Sequence, residues 1–354
     1  MDTIGFLGNI TLSVSTAVAE NRISGGVGGI TGAIPLPRPN RLIKCLVNLM
    51  MDVYTVDSYA KTRIGMQFST KREQLMKILK KLARLPRVAA YNRDWRKYLK
   101  VPAVDADHSV ETFRLRNGQV LQVKNDARFI LNEIYLDRVY DMPGVSYSKL
   151  INVLDLGANV GLYATYVSSQ NPTATIYCFE PSNSNYQILK YNIRRNNVNA
   201  KLYQAAVSVE KGTGFLSKQK SSVEYSLVNQ PDVHTEEVQC VGLDQIFSLC
   251  GVERFDLLKI DIEGHEKILL ENASDEWLLH FDHLIIEWHY SWEELERVAQ
   301  RLRAIGFETE KVLLEKHMRF LRASRVYNRP DKAADPHRSS AKRVDADADK
   351  VYPT

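Results

Sequence analysis

A glycine turn, followed at a set distance by an acidic strand end, constrains this chain more than any other feature. A mainly apolar run at 151–154 leads into Asp155-Leu-Gly-Ala-Asn-Val-Gly161, and a second apolar run ends in Phe179-Glu180-Pro181. A strand, a glycine turn, a helix and a strand ending in an acid form a nucleoside-binding half-fold, whose acid bridges two ribose hydroxyls. The sequence therefore predicts a nucleoside cofactor held by Gly157, Gly161 and Glu180.

The side chains of the turn narrow the class of cofactor. Asn159 stands where a dinucleotide site has a glycine that lets the backbone approach a pyrophosphate, and no third glycine follows at the expected place. Asp155 ends the strand, where a carboxylate repels phosphate and attracts a cation. These features favour S-adenosylmethionine, which carries an ammonium and a sulfonium, over NAD. The alternative is an ordinary tight turn with a buried acid after the second strand.

Further acidic and imidazole groups follow two later strands. The strand predicted at 255–261 ends in Asp261-Ile-Glu263-Gly-His265-Glu266, and the strand at 283–288 ends in Glu287-Trp-His289. Because ligands bind beyond the carboxyl ends of parallel strands, these groups should share one cleft, where acid/base work or metal binding is expected. The candidates for catalysis are Asp261, Glu263, His265, Glu287 and His289.

Asp261 with Glu263 is the first choice on the acceptor side, and His289 is the candidate base at neutral pH. The alternative for His289 is an imidazole that is hydrogen-bonded beneath the site and takes no part in proton transfer. Glu266 is interpreted as a helix-start carboxylate favoured by the helix dipole. A divalent cation held by Asp261 and Glu263 is the weaker alternative, and no metal ligand is predicted.

These motifs, in this order, resemble the FkbM family of S-adenosylmethionine-dependent methyltransferases. The resemblance extends to Ile130–Tyr135, to Tyr140 and to the stretch 204–208, and it covers roughly Val110 to Arg322. It implies O-methylation of a hydroxyl on a sugar, glycolipid or natural-product scaffold. It also implies that the region before the first core strand covers the cofactor, which gives Glu133 and Tyr140 ligand roles, and that Ala206 lies beside the adenine. The alternative for Glu133 is a solvated helix face.

The expected fold is α/β, a class I methyltransferase (Rossmann-like) fold. It has a mostly parallel seven-stranded sheet with helices on both faces and an antiparallel edge strand. A hairpin turning at Asn117-Gly118 and a helix over 129–141 should precede the sheet. The stretch 208–242 has polar, irregular patterning with short strands predicted at 214–216 and 238–241, and it is expected to set acceptor specificity together with residues before 110.

The chain is expected to divide into four parts. Residues 1–40 and 324–354 are predicted to be disordered, 41–109 to form a basic helical segment, and 110–323 to form the methyltransferase domain. Residues 61–100 contain thirteen Lys and Arg against two acidic residues. A basic amphipathic helix at 69–85 either packs its leucines on the core or attaches to an anionic membrane or polyanion.

Two other function classes remain open. One is a non-catalytic binding module, and the other is a nucleic-acid methyltransferase using residues 61–100, although no strong nucleic-acid motif is present. The four cysteines lack metal or redox spacing, no apolar stretch reaches the ~20 residues of a membrane span, and Asp2 does not suit a secretory signal. The expectation is a soluble cytoplasmic enzyme with a small-molecule or glycan acceptor, and peripheral membrane association is the alternative.

Overall fold

The computed structural model describes residues 83–99, 109–218, 225–228, 235–314 and 318–326. The chain divides into two compact units, Met1–Lys97 and Tyr98–Thr354. Residues 83–91 are helical, and a 3₁₀ turn spans Trp95–Leu99. The predicted segment 1–40, most of the basic helix at 69–85 and the tail from 327 lie outside the described residues. Among those that are described, no helix has the length and apolar character needed to cross a bilayer.

The second unit opens with the predicted hairpin. Strands β1 (Val110–Arg114) and β2 (Val120–Lys124) pair antiparallel, and the turn between them uses Gly118 at φ +96°. Helix α1 (Arg128–Asn132) then widens into a π-helical turn, Glu133–Asp137. That turn ends at Arg138, whose left-handed φ of 52° stops the helix. The helix predicted over 129–141 is therefore shorter than expected.

Most of the remaining elements alternate strands and helices, as the sequence predicts, but five strands follow one another in the middle and the last two strands form a hairpin. The first half consists of β3 (Asn152–Leu156), α2 (Leu162–Gln170), β4 (Thr175–Phe179), α3 (Asn183–Arg195), β5 (Ala200–Tyr203), β6 (Ala206–Ser208), β7 (Gly212–Lys218), β8 (Tyr225–Val228) and β9 (Thr235–Gly242). The second half consists of α4 (Ile246–Cys250), β10 (Phe255–Ile260), α5 (Glu266–Asn272), α6 (Asp275–Leu278), β11 (Phe281–Trp288), α7 (Trp292–Ala304), β12 (Phe307–Leu314) and β13 (Met318–Arg325).

Seven of these strands form the central sheet, in the order β12-β13-β11-β10-β3-β4-β5. The five strands from β11 to β5 are parallel, and β13 runs antiparallel between β11 and β12. The predicted seven-stranded class I methyltransferase sheet is confirmed. One detail differs, because the antiparallel strand lies one position in from the edge: the β12–β13 hairpin inserts its returning strand beside β11.

Sequence composition explains why β3, β4 and β10 occupy the middle of this sheet. Each has four consecutive buried residues, which is the pattern of a parallel strand covered on both faces. The last helix, α7, begins with a capping box in which Ser291 and Glu294 bond each other's backbone. It runs over the predicted residues 292–304, and Gly306 at φ +97° follows it.

A second, four-stranded sheet has the order β6-β9-β7-β8. The strand predicted over 201–207 is split: β5 ends at Tyr203 in the central sheet, and β6 begins at Ala206 and pairs with β9 instead. A strand can leave one sheet for another where its backbone bonds change partner. The stretch 208–242 contains the short strands predicted at 214–216 and 238–241, which are longer than expected, and β8 is added to them; residues 219–224 and 229–234 lie outside the described residues.

Two asparagines attach the hairpin to the domain: Asn192 in the last turn of α3 and Asn196, its C-cap residue. The Asn196 side chain accepts from the Val120 N–H at 2.8 Å and donates to the Val120 carbonyl at 2.9 Å. The Asn192 side chain accepts from the Gln122 N–H at 2.7 Å and donates to the Gln122 carbonyl at 2.8 Å. Each amide therefore satisfies both backbone groups of one β2 residue, as a neighbouring strand would. This asparagine clasp holds the segment before β3 against α3.

Candidate functional site

Steric contact explains the glycines of the turn between β3 and α2. Gly157 has φ +80°, and a Cβ added there would lie 1.7 Å from the carbonyl oxygen of Asp261. Gly161 has φ +79°, and its Cβ would lie 2.6 Å from Cδ1 of Leu189. Asn159 takes a left-handed φ of 50°, which asparagine tolerates better than most residues. The turn thus packs directly on the end of β10, and only glycine fits at position 157.

Glu180 follows β4 and is tied to this turn. Its carboxylate accepts hydrogen bonds from the backbone N–H of Asn159 at 2.8 Å and of Ser182 at 2.9 Å. The residue is 5% exposed, and burial raises its pKa to about 7 against the opposing effect of these backbone donors. The acid that the sequence places opposite the glycine turn is therefore held in a fixed orientation.

A small cavity of about 50 Å³ opens beside Glu180. Its walls include Ala206 from β6 and two leucines of the second sheet, Leu216 and Leu227. Within the described part of the chain, three of its lining residues have a buried polar atom that lacks a hydrogen-bond partner: Asn159 Oδ1, Asn185 Oδ1 and His265 Nε2. Buried polar groups normally have partners, so these atoms point to a ligand. The apolar walls, the carboxylate and the unpaired polar atoms supply the kinds of contact that a nucleoside makes, although the cavity itself is smaller than a nucleoside.

Asp155 lies beneath the turn, fully buried, and lines neither of the two cavities described in this subsection. Its Oδ1 is 3.1 Å from Nζ of Lys259, which is 3% exposed and also donates to the Gly157 carbonyl at 3.0 Å. Burial raises the pKa of Asp155, and Lys259 opposes that rise. The cation expected beside Asp155 is therefore Lys259 of this chain, a residue that the sequence reasoning did not single out.

A second, open cavity of about 470 Å³ collects the other predicted residues. Its lining includes Glu133 and Tyr140 together with residues from the ends of β10 and β11: Lys259, Asp261, Glu263, Glu287 and His289. Glu133 lies on the π-helical turn and borders the cavity, so the alternative of a purely solvated helix face does not describe it.

Tyr140 connects the two strand ends inside this cavity. Its hydroxyl lies 2.9 Å from Oδ2 of Asp261 and 2.5 Å from Oε2 of Glu287. A phenol carries one hydrogen, so the two carboxylates compete for a single donor. Burial and the charge of Asp261 raise the pKa of Glu287 to about 8, and burial and the two carboxylates raise the pKa of Tyr140 well above its usual value.

His289 is flanked by carboxylates on both ring nitrogens. Nδ1 lies 3.1 Å from Oε1 of Glu266, and Nε2 lies 3.3 Å from Oε2 of Glu263. Burial lowers the pKa of His289, but the bond to Glu266 and the surrounding negative charge outweigh it and raise the pKa to about 10. With these neighbours the imidazole is charged at neutral pH. A raised pKa opposes the predicted role of His289 as a base at neutral pH, and that role stays a prediction.

Glu266 has a structural function that agrees with the preferred interpretation. It is fully buried at the start of α5 and accepts from the N–H of Ile262 at 3.0 Å and of Gly264 at 3.0 Å. It thereby closes the turn that presents Glu263, whose φ is 52°. Burial and nearby carboxylates raise the pKa of Glu263 to about 9. The described residues also contain one group whose ligand atoms could hold a metal ion: Asp261, Glu287 and His289.

The two cavities meet at a small set of residues. Gly157, Asn159, Asp261 and Glu263 line both of them. A ligand that extends from the nucleoside cavity past the turn therefore reaches Asp261 and Glu263 first. This junction is where a cofactor and a second substrate can come together.

Comparison with known proteins identifies the class of enzyme to which this junction corresponds. Residues 155–309 match the family model described as the methyltransferase FkbM domain, a range that contains the glycine turn, Glu180 and the ends of β10 and β11. The chain contains an FkbM methyltransferase domain. As an FkbM methyltransferase, it uses S-adenosylmethionine, and the unpaired atoms and carboxylate of the small cavity fit that nucleoside cofactor.

The relatives of this FkbM methyltransferase include characterised and solved proteins. It is 29% identical over 231 residues to the 31-O-demethyl-FK506 methyltransferase FkbM of Streptomyces tacrolimicus, covering 56% of this chain and 89% of that protein. It is 27% identical over 202 residues to the methyltransferase sdnD of Sordaria araneosa, covering 48% and 77%. A solved METTL16 methyltransferase domain is 15% identical, with a TM-score of 0.38 over 56% of this chain and 68% of that chain. Values this low say nothing about function.

Proposed function

We propose that this FkbM methyltransferase O-methylates a hydroxyl group of a sugar, glycolipid or natural-product-like acceptor bound in the open cavity. The observation that carries the proposal is the junction, where two carboxylates stand between the nucleoside cavity and a cavity large enough for a second substrate. A neutral alcohol is a poor nucleophile, and positioned carboxylates supply the base that it needs. The O-demethyl substrate in the name of the Streptomyces relative supports an oxygen acceptor.

The role proposed for each residue follows from its position in the two cavities. Glu180 accepts the ribose hydroxyls, Asn185 and His265 offer polar atoms to the rest of the nucleoside, and Glu133 attracts the ammonium group. When bound, S-adenosylmethionine supplies an electrophilic methyl group, so the protein contributes orientation and electrostatics. Holding the acceptor oxygen about 3 Å from that methyl can supply several kcal/mol by proximity alone.

The acceptor proton passes to Asp261, or to Glu263 in the ionised form that its pKa of about 9 makes the minor one at neutral pH, because both carboxylates border both cavities. Tyr140 limits the rotation of Asp261 by sharing its hydroxyl hydrogen with Glu287, and the Glu266 carboxylate holds the turn of Glu263. Both acids are therefore supported by side chains that themselves have few alternative positions, which is what a catalytic group requires.

The experiment has two stages, both with the full chain. Calorimetric titration with S-adenosylhomocysteine compares the wild type with Glu180→Ala, which should lose binding at micromolar ligand. A screen of glycans, lipid-linked sugars and hydroxylated polyketides, read by a mass increase of one methyl group, then identifies acceptors. With an acceptor in hand, Asp261→Asn or Glu263→Gln should lower kcat by about 10²–10⁴-fold, the usual loss for a general base.

The matched control is Glu293→Gln, which removes an exposed carboxylate in the first turn of α7. It should leave kcat and cofactor affinity unchanged. A well-folded wild type that does not bind S-adenosylhomocysteine would overturn the cofactor site. If both Asp261→Asn and Glu263→Gln keep wild-type kcat, the assignment of the proton acceptor fails. A methyl group found on nitrogen or carbon would contradict O-methylation.

A further inference from the structure

The ends of β10 and β11 present three potential metal ligands to the open cavity. One ligand atom from each of Asp261, Glu287 and His289 lies within 4.8 Å of the other two. All three residues line the cavity of about 470 Å³, so there is room for an ion and its water molecules. We propose that these three side chains bind one divalent cation at the acceptor side of the site.

The imidazole has the support that metal-bound histidines have. A histidine that ligates a metal through one nitrogen almost always bonds a carboxylate or carbonyl through the other, which fixes its tautomer and orientation. Here Nδ1 of His289 lies 3.1 Å from the fully buried carboxylate of Glu266, which is not one of the three ligands. Nε2 lies 3.3 Å from Glu263, and a metal bound there takes the place of the proton that Nε2 carries in the charged imidazole.

The carboxylate ligands are supported in the same way. Tyr140 is buried and its hydroxyl reaches both Asp261 and Glu287, so it sets the distance between oxygens that come from different strands. Its partner Tyr147 donates to the Tyr140 carbonyl at 2.8 Å, which anchors the tyrosine backbone. Supporting contacts on all three ligands indicate that the arrangement is built to persist rather than to meet by chance.

The charge of the cavity is unbalanced in the direction that a cation corrects. Among the described residues that line it, four carboxylates (Glu133, Asp261, Glu263 and Glu287) face two cationic side chains, Lys259 and His289. Lys259 lies 3.1 Å from the buried Asp155 and 3.5 Å from Asp261, so it is shared between two carboxylates. Carboxylates crowded along one cavity repel each other, and a divalent ion bound between them relieves that repulsion.

The donor set indicates which ion binds. Two carboxylates and one imidazole, with the remaining positions open to water, suit magnesium or manganese, and the described cysteines are buried elsewhere. An ion here also has a function that rests on the proposed O-methylation: a hydroxyl bound to it loses its proton more easily.

Manganese is the probe, because its unpaired electrons report on the atoms bound to it. The full chain, stripped of metal by chelation, is titrated with Mn²⁺ by calorimetry and electron paramagnetic resonance, and electron spin-echo modulation then tests for a directly bound nitrogen. We expect one ion per chain and a nitrogen signal that disappears in His289→Gln. Glu287→Gln and Asp261→Asn should each weaken Mn²⁺ binding at least tenfold, and the Glu293→Gln control should not.

S-adenosylhomocysteine binding, measured in chelator on every variant, shows that each one is folded and separates the two proposals. If the cofactor product binds but Mn²⁺ does not, the metal inference is overturned and the methyltransferase site stands. Mn²⁺ bound without a nitrogen signal, or bound equally well by Glu287→Gln, places the ion elsewhere and also overturns it. If Mn²⁺ binds as expected but the cofactor product does not, the metal site is supported and the proposed function fails.

Discussion

Replacing Lys259 with methionine tests whether the buried ion pair under the glycine turn is as important as its position suggests. Lys259 contacts Asp155 Oδ1 at 3.1 Å and the Gly157 carbonyl at 3.0 Å, and it is only 3% exposed. Breaking a buried pair by removing one partner costs about 3–5 kcal/mol, because the other charge is left uncompensated. The unpaired Gly157 carbonyl adds about 1 kcal/mol or more.

We therefore expect Lys259→Met to lose about 5 kcal/mol of unfolding free energy. In a unit of this size that corresponds to a fall in Tm of roughly 10–20 °C. Urea denaturation followed by tryptophan fluorescence is a suitable assay, because Trp277, Trp288 and Trp292 all lie in the second unit.

The double variant Asp155→Val/Lys259→Met provides the control. Replacing a whole buried pair by apolar residues of similar volume is often close to neutral, so the double variant should be more stable than Lys259→Met alone. If the single variant loses less than about 1 kcal/mol of unfolding free energy, the reasoning is refuted, because a buried unpaired carboxylate should destabilise the fold by more than that. Additive effects of the two substitutions would refute it as well.

Two further predictions concern the cofactor side. The pKa of Glu180 is raised to about 7, and ribose hydroxyls donate hydrogen bonds to its ionised form. Affinity for S-adenosylhomocysteine should therefore rise about tenfold from pH 6 to pH 8. Calorimetry of Glu180→Gln should show no such rise. Gly157→Ala should unfold the turn or abolish cofactor binding, because its Cβ overlaps the Asp261 carbonyl, whereas Gly251→Ala, at φ +71° in open space, should cost only about 1–2 kcal/mol in urea. Equal losses in the two alanine variants would contradict the steric argument.

Most of the fold could be predicted from the sequence, because strands buried in a parallel sheet are recognisable as apolar runs. Runs such as 255–260 and 281–288 are apolar enough to be buried on both faces, and Ser291 with Glu294 marks a helix start by local chemistry alone. The split between β5 and β6 was not readable, because the choice of sheet depends on β9, more than 25 residues later in the chain. The early end of the helix after Phe129 depends on a left-handed Arg138, which no residue type signals.

The sequence predicted which residues lie at the candidate site, but not which of their side chains contact each other. Glycine spacing and strand-end acids located Gly157, Glu180, Asp261 and Glu287, since these depend on position along a strand. The partners of Asp155 and His289 could not be predicted in the same way, because they come from neighbouring strands and from the start of α5. Lys259 precedes Asp261 by two residues, so it shares a strand face with it, and that spacing was the available signal.

The predictions for the basic segment and for partners remain open. Residues 61–82 and the tail from 327 lie outside the described part of the chain, so attachment to an anionic membrane or polyanion stays a prediction. The expected role of 208–242 in acceptor choice also stays a prediction. In the described residues, Leu216 and Leu227 of that stretch border the nucleoside cavity instead, which directs attention to cofactor binding.

The asparagine clasp on β2 has a consequence for how this protein behaves in a crowded solution. A free strand edge offers a row of backbone groups to any passing extended chain, and such edges seed aggregation. Asn192 and Asn196 occupy the groups of Gln122 and Val120 that face away from β1. Side chains of the same molecule therefore occupy this edge of the hairpin, and a strand of a second copy cannot pair with it there.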